Sequence, residues 1–240
     1  MTDDEQGGAT TVIDRIHVHC EVRGSGRPLL LILGLGADVS EHTALIDALA
    51  THSQVIAFDN RGSGRSDKPD APYTIELMAA DALGVLDLLG VGHADILGMS
   101  LGGRIALELA LRHPDRVDKL ILLSTSARTI PSWRRRHLYP LLAGLPLGRS
   151  KYPQPRYAFQ RQMAASAGYD ATGRLDELMV PTLILHGRRD RSAPLALAEE
   201  MRSRIPGARM TVFPGGHLFF MFRQRKRFEA AVAEYLAEDL

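Results

Sequence analysis

Ala94-Asp95-Ile96-Leu97-Gly98-Met99-Ser100-Leu101-Gly102-Gly103 runs from an apolar stretch straight into a serine flanked by glycines. A short run with no polar face reads as a strand covered on both sides, as in a parallel sheet between helix layers. The residues from Leu101 to His113 then repeat at helical spacing until Pro114, which ends the helix. Arg104, Glu108 and Arg112 fall at i, i+4 and i+8 as one polar stripe, with Ile105, Leu109 and the alanines facing inward. Strand, sharp turn and helix are the setting in which G-x-S-x-G has a mechanical meaning. A serine on such a turn projects its hydroxyl away from the sheet, and Gly98, Gly102 and Gly103 leave room for close strand-helix approach. The competing reading is a glycine-rich helix start with a capping serine.

The same rhythm extends in both directions. Leu29–Leu33, Val55–Phe58, Leu120–Leu123 and Thr182–Leu185 are further apolar runs. Helical periods fall at Glu41–Thr51, Thr74–Leu89, Leu195–Arg204 and Arg223–Ala237. This alternation predicts an α/β fold, a doubly wound and mostly parallel sheet. Val12–Arg23 alternates more loosely before Gly24-Ser25-Gly26, which predicts antiparallel edge strands at the N-terminus. Residues 125–180 carry no strand pattern but hold Trp133-Arg134-Arg135-Arg136-His137 and Tyr152-Pro153-Gln154-Pro155. They are expected to form a reduced lid over an open pocket, inserted into a single domain spanning 1–240.

Composition narrows the function classes. A chain of 240 residues, 45% hydrophobic and 24% charged, can bury one ordinary globular core. Its net charge of +1 lacks the positive field that nucleic-acid binding needs. The single cysteine, Cys20, permits no intramolecular disulfide. Met1 to Gly8 has no signal-like apolar stretch, and no run nears the roughly 20 apolar residues that cross a bilayer. A cytoplasmic protein with no nucleic-acid partner and no transmembrane segment is expected; oligomeric state is not legible. His17-x-His19 beside Cys20 finds no further ligands to complete a metal site. Gly34-Leu35-Gly36 and Gly62-Ser63-Gly64 complete no phosphate cradle. Neither metal nor cofactor is expected. The basic patches Trp133–Arg136 and Arg223–Arg227 read as solvated helix faces, with an anionic substrate or membrane surface as the alternative.

Four further segments join the serine motif: Gly34-Leu35-Gly36, Asp59-Asn60-Arg61-Gly62-Ser63-Gly64-Arg65-Ser66-Asp67, His186-Gly187-Arg188-Arg189-Asp190 and Gly215-Gly216-His217. Together, and in this order, they resemble the α/β-hydrolase superfamily over nearly the whole chain. The resemblance implies Ser100 as nucleophile, His217 as base and Asp190 as the acid that orients it. It also implies an oxyanion hole built from the backbone N–H groups of Leu35 and Leu101. These roles suit the chemistry, because a serine hydroxyl is a weak nucleophile until an imidazole takes its proton. Asp190 follows the run at 182–185, past the carboxyl end of a strand, where sites collect in open sheets. Some relatives carry the acid after the preceding strand; here Ser124-Thr125-Ser126 offers no carboxylate, and Asp170 and Asp176 lie in the insertion.

Two departures matter. Leu33 stands where many relatives have a histidine, and it cannot donate the hydrogen bond that often braces the oxyanion loop. Serine rather than aspartate at position 100 speaks against dehalogenation and epoxide opening. Leu35, Met99, Trp133 and Phe219 are expected walls of the substrate pocket. The implied activity is hydrolysis of a small-molecule carboxylic ester or lactone through an acyl-enzyme, as in small esterases and enol-lactone hydrolases. Carbon–carbon bond hydrolysis or cofactor-free perhydrolysis by the same triad stays open, as does a non-catalytic ligand-binding protein on this fold.

Overall fold

The computed structural model describes residues 2–3, 9–13, 15–130 and 150–238. Its strands are β1 (Thr2–Asp3), β2 (Ala9–Ile13), β3 (Ile16–Arg23), β4 (Pro28–Ile32), β5 (Gln54–Phe58), β6 (Ala94–Met99), β7 (Val117–Leu123), β8 (Thr182–Gly187) and β9 (Arg209–Phe213). They form one sheet in the order β1-β2-β3-β5-β4-β6-β7-β8-β9. β1 to β3 pair antiparallel and β3 lies antiparallel to β5, whereas β5 through β9 run parallel. The chain steps from β4 outward to β5 and then back past β4 to β6. Loops at the carboxyl ends of these strands therefore converge, which is where open α/β sheets place their sites.

Alternation along the strands divides the interior into two cores. Leu30, Ile32, Ile56, Ile96, Leu120 and Leu122 face helices α2 (Ile75–Leu88) and α3 (Leu101–Arg112), with Ala198 and Met201 of α5 (Leu195–Arg204) completing that layer. Their neighbours Leu29, Leu31, Val55, Leu97 and Ile121 face the other way. They meet Ile46 and Leu49 of α1 (Thr43–Leu49), and Phe228 and Val232 of α6 (Arg225–Ala237). Both faces of the central strands are covered, which is why they read as unbroken apolar runs. Among the described residues, no helix is long and apolar enough to cross a membrane.

The N-terminal edge is antiparallel, as the sequence predicts, and is a hairpin of β2 and β3 turning at Arg15, whose φ is 67°. Two elements differ from the sequence reading. β9 carries Arg-Met-Thr-Val-Phe, in which only Phe213 is fully buried; an outermost strand needs no continuous apolar run. The insertion contains a helix, α4 (Arg156–Gly168). Its base closes where Arg128 pairs with Asp170 in an isolated bridge and Ala171 N–H donates to Ala127 O at 2.9 Å. α4 reaches the loops beyond β5: Tyr157 OH donates to Lys68 O at 2.7 Å, and Gln162 Nε2 to Arg61 O at 2.8 Å.

Two residues of the polar stripe of α3, Arg104 and Glu108, are buried, while Arg112 at its end is exposed. Arg104 is buried and donates to Ser126 O at 3.0 Å, Arg128 O at 2.9 Å and Thr129 Oγ1 at 2.6 Å. Glu108 is buried too, accepting from Tyr169 OH at 3.1 Å and Arg174 Nη1 at 3.2 Å. Both ends of the insertion thus lie on the helix that carries the serine, and the stripe is its seat.

The turn after β5 is held from within. Asp59 accepts from Val39 N–H at 2.7 Å and Arg65 N–H at 2.8 Å. Gly64, at φ 51°, leaves the space this needs, since a β-carbon there would lie 2.1 Å from Asp59 Oδ2. Glu21 on β3 accepts from Arg65 Nη2 at 2.6 Å and Arg23 Nη2 at 2.6 Å, and lies 3.5 Å from His19 Nε2. The hydrogen bond from His19 leads in lowering the Glu21 pKa to about 2; burial opposes it, and the two arginines add to it. A depressed carboxyl contributes stability in full above its unfolded pKa and loses it as pH falls through the folded value. We predict that Glu21→Gln lowers the Tm by several degrees at pH 7, and that the gap to wild type narrows by more than half at pH 3. Thermal melts of both proteins at the two pH values check this; a constant gap would show that ionisation of Glu21 is not the source.

Candidate active site

Ser100 stands alone between β6 and α3, with φ 55° and ψ −112°. This left-handed conformation is strained for serine, and its surroundings must hold it. Ser100 N–H donates to Leu123 O at 2.9 Å, and Thr125 Oγ1 donates to Ser100 O at 2.6 Å. Both hydrogen bonds tie the turn to the end of β7 and the residues just beyond it. Gly102 brings α3 onto β4: a β-carbon there would lie 2.1 Å from Ile32 O.

His217 lies in the loop after β9 and Asp190 in the loop after β8. His217 Nε2 is 2.9 Å from Ser100 Oγ, and Nδ1 is 2.7 Å from Asp190 Oδ2. An ionised carboxylate accepts only, so Nδ1 carries the proton and Nε2 accepts from the serine hydroxyl. Asp190 Oδ1 accepts from the N–H groups of Ser192 at 2.7 Å and Ala193 at 2.9 Å. The acid side chain is fully buried, while 23% of the His217 side chain is exposed. Burial pushes the Asp190 carboxyl up, but the hydrogen bond and charge of His217, the Ala193 N–H and His186 together pull it below its ordinary value. His186, fully buried 3.6 Å from Asp190 Oδ2, has its own pKa lowered by burial. Its Nε2 lies 2.7 Å from Ala193 O and so carries the proton, closing the acid loop with a donated hydrogen bond.

The structure therefore brings together the serine, imidazole and carboxylate singled out in the sequence. It adds Ser124, at φ 48°, whose hydroxyl donates to His217 O at 2.8 Å and whose N–H donates to Leu185 O at 2.9 Å. Ser124 follows β7 directly. Its one signal in the sequence is its place just past an apolar run.

Leu101 follows the serine directly, and Leu35 follows a glycine that packs against it. Leu101 opens α3, where an N–H has no acceptor within the helix. Leu35 follows Gly34, which packs on Ser100: a β-carbon on Gly34 would sit 3.4 Å from Ser100 Cβ. The missing histidine at position 33 does not leave this loop without a brace. Asn60 Nδ2 donates to Leu33 O at 3.0 Å, and Gly36 N–H donates to Gln162 Oε1 at 3.1 Å. Met99 is buried beside Gly34. Phe219, expected as a pocket wall, is packed instead into an aromatic cluster, stacked on Phe213 at 4.5 Å and edge-on to Phe220 and Phe228. It is 4% exposed and its ring belongs to the core. Trp133 lies outside the described residues.

Comparison with known proteins agrees with this architecture. The α/β hydrolase fold family matches residues 27–155, and a family described as TAP-like protein matches residues 160–239. The chain belongs to the α/β-hydrolase fold family. It is 33% identical to a 2-hydroxymuconate semialdehyde hydrolase from Pseudomonas putida, over 90% of this chain and 89% of that protein. The crystal structure of the enol-lactonase from Burkholderia xenovorans LB400 superposes with a TM-score of 0.86 at 26% identity, covering 96% of this chain and all of that one. An esterase from Exiguobacterium antarcticum superposes with a TM-score of 0.82 at 26% identity, over 94% and 97% of the two chains.

The close seat of α3 on β4 yields a prediction. Gly102→Ala places a methyl group against the Ile32 carbonyl, so backbone must shift. We expect a loss of about 3 kcal/mol or more, at the upper end for overpacking. Urea unfolding followed by circular dichroism measures it, and a loss below about 1 kcal/mol would contradict the packing described here.

Proposed function

We propose that this chain is a serine hydrolase acting on a small carboxylic ester or lactone through an acyl-enzyme. The unbroken hydrogen-bonded series Ser100–His217–Asp190, on a strained turn at the carboxyl ends of the strands, is the observation that carries this reading. In it, Ser100 Oγ attacks the carbonyl carbon as His217 Nε2 takes its proton. Asp190 keeps the proton on Nδ1 and stabilises the imidazolium that forms. The N–H groups of Leu35 and Leu101 receive the developing oxyanion; losing one such donor typically costs about 10²–10³ in rate. The imidazolium then protonates the leaving alkoxide. A water molecule, deprotonated by the same imidazole, releases the acid and regenerates the serine. No step requires a cofactor. Residues 125–180 act as a reduced lid within one domain, supported by the seat of α4 on the loops after β4 and β5.

Likeness to the enol-lactonase and the esterase favours the carboxyl substrates. A second reading, hydrolysis of a carbon–carbon bond next to a carbonyl, is favoured by the 33% identity with the semialdehyde hydrolase. The two share the nucleophile and differ in the leaving group, so a panel of p-nitrophenyl esters, enol-lactones and vinylogous diketones separates them.

A fluorophosphonate probe is predicted to label the wild type at Ser100, as read by mass spectrometry. Ser100→Ala abolishes labelling, whereas Ser124→Ala retains it. A wild type that stays unlabelled while folded would support a non-catalytic ligand-binding protein. Asp190→Asn leaves the fold in place but frees His217 to adopt the wrong tautomer, so kcat on p-nitrophenyl acetate drops by about 10⁴; a drop of less than tenfold would remove Asp190 from the relay.

A further inference from the structure

The loop between β4 and α1 approaches the serine through Gly34, and hydrogen bonds hold it on both sides of Leu35, the next residue. Upstream, the Leu33 carbonyl accepts from Asn60 Nδ2 at 3.0 Å. Downstream, Gly36 N–H donates to Gln162 Oε1 at 3.1 Å. Asn60 belongs to the sheet's own turn, but Gln162 comes from α4, 126 residues beyond Gly36. The Gln162 side chain is fully buried. Its orientation is not free: Nε2 lies 2.8 Å from the Arg61 carbonyl, which can only accept, and 3.0 Å from Ser63 Oγ. The amide nitrogen must face Arg61, and the oxygen must therefore face Gly36. Gln154 reinforces this, its Nε2 donating to Gly62 O at 2.7 Å and to Gln162 Oε1 at 3.0 Å.

We propose that Gln162 is a positioning residue for the oxyanion hole: one side-chain amide from the insertion fixes the peptide after Leu35 and so aims the Leu35 N–H. This rests on the serine-hydrolase reading above. The physical case is that an oxyanion donor is effective only when fixed before charge develops, within a few tenths of an ångström of its working place. Gly34 and Gly36 bracket Leu35, and Gly36 sits at φ 70°, so the loop's own backbone does little to restrict it. The two amides supply that restriction, and they do so in a chain whose residue 33 has no side-chain donor. Since Gln162 also grips Arg61 and Ser63, the seating of α4 and the geometry of the oxyanion loop are set by the same group.

The test compares wild type with Gln162→Leu, which keeps the volume and removes both functions of the amide, and with Gln154→Ala, which removes only the reinforcing donor. Active sites are first counted by fluorophosphonate titration, so that misfolded protein drops out of the rate. For Gln162→Leu, kcat per titrated site on p-nitrophenyl acetate is expected to fall by about 10- to 100-fold, short of the loss of a whole oxyanion donor. KM should change by less than about threefold, and affinity for a trifluoromethyl ketone, whose adduct carries the oxyanion, should fall in parallel with kcat/KM. Gln154→Ala should lower kcat per site severalfold in the same direction. A purely structural role predicts a lower Tm and fewer titratable sites with an unchanged kcat per site, and that result overturns the proposal. If Gln162→Leu does not fold, an unchanged kcat per site in Gln154→Ala overturns it. A wild type that neither labels nor hydrolyses esters sinks the hydrolase reading itself, and this proposal with it.

Discussion

The approach of α3 to the sheet governs the site. With Gly102 against the Ile32 carbonyl, the helix can start only one residue after β6 ends, and Ser100 is left in a backbone conformation that serine ordinarily avoids. A residue in that state projects its side chain clear of both strand and helix. It also leaves the Leu101 N–H at the head of a helix with no intrahelical acceptor. The place of the proposed nucleophile and that of one proposed oxyanion donor are thus consequences of the same packing contact. The strain is held by hydrogen bonds at both of the serine's peptide groups and by the two apolar cores on either side of β6.

Polar groups perform a second task, which is to seat irregular segments on this rigid centre. Glu21 and Asp59 hold the turn after β5, while His186 and two backbone N–H groups hold the loop bearing Asp190. Arg104 and Glu108 hold the insertion on the back of α3. Buried charge is costly unless it is hydrogen-bonded; the bonds of Glu21 to Arg65, of Arg104 and of Glu108 reach across large separations in sequence, whereas those within the loop bearing Asp190 are local. Ion pairs of this kind add little net stability over a well-packed apolar alternative, but they define which segment sits where. That suits a site assembled from several loops.

The central strands and the five helices that cover them were legible because each obeys a single periodicity. α5 begins and ends where its pattern does, and β4 to β8 differ from their apolar runs by a residue or two at most ends. The serine turn was legible because its glycines have a steric purpose. What escaped the reading depends on tertiary context. β9 is an edge strand with one buried face, so its residues carry no strong pattern. The stripe of α3 reads from its own sequence only as polar, because nothing local reveals that the insertion folds back onto it. Phe219 looked like a pocket wall beside a histidine, yet three other rings draw it into the core. Gln162 carried no signal, since a glutamine acquires meaning only from what its two ends reach.

The division of labour between sheet and insertion explains why the fold alone leaves the substrate open. Every group assigned to attack, proton transfer or oxyanion binding is placed by loops at the carboxyl ends of β4, β6, β8 and β9. None of it discriminates an alkoxide leaving group from an enolate carbon, because both leave from the same tetrahedral centre and both take their proton from the same imidazolium. In the proposed reaction, discrimination must come from what surrounds the leaving group, and residues 125–180 are the proposed lid over it. The same segment reaches back through Gln162 to the loop that carries Leu35. On the proposed roles, substrate choice and rate are coupled: a change in the insertion that reshapes the pocket would also act on the peptide next to Leu35.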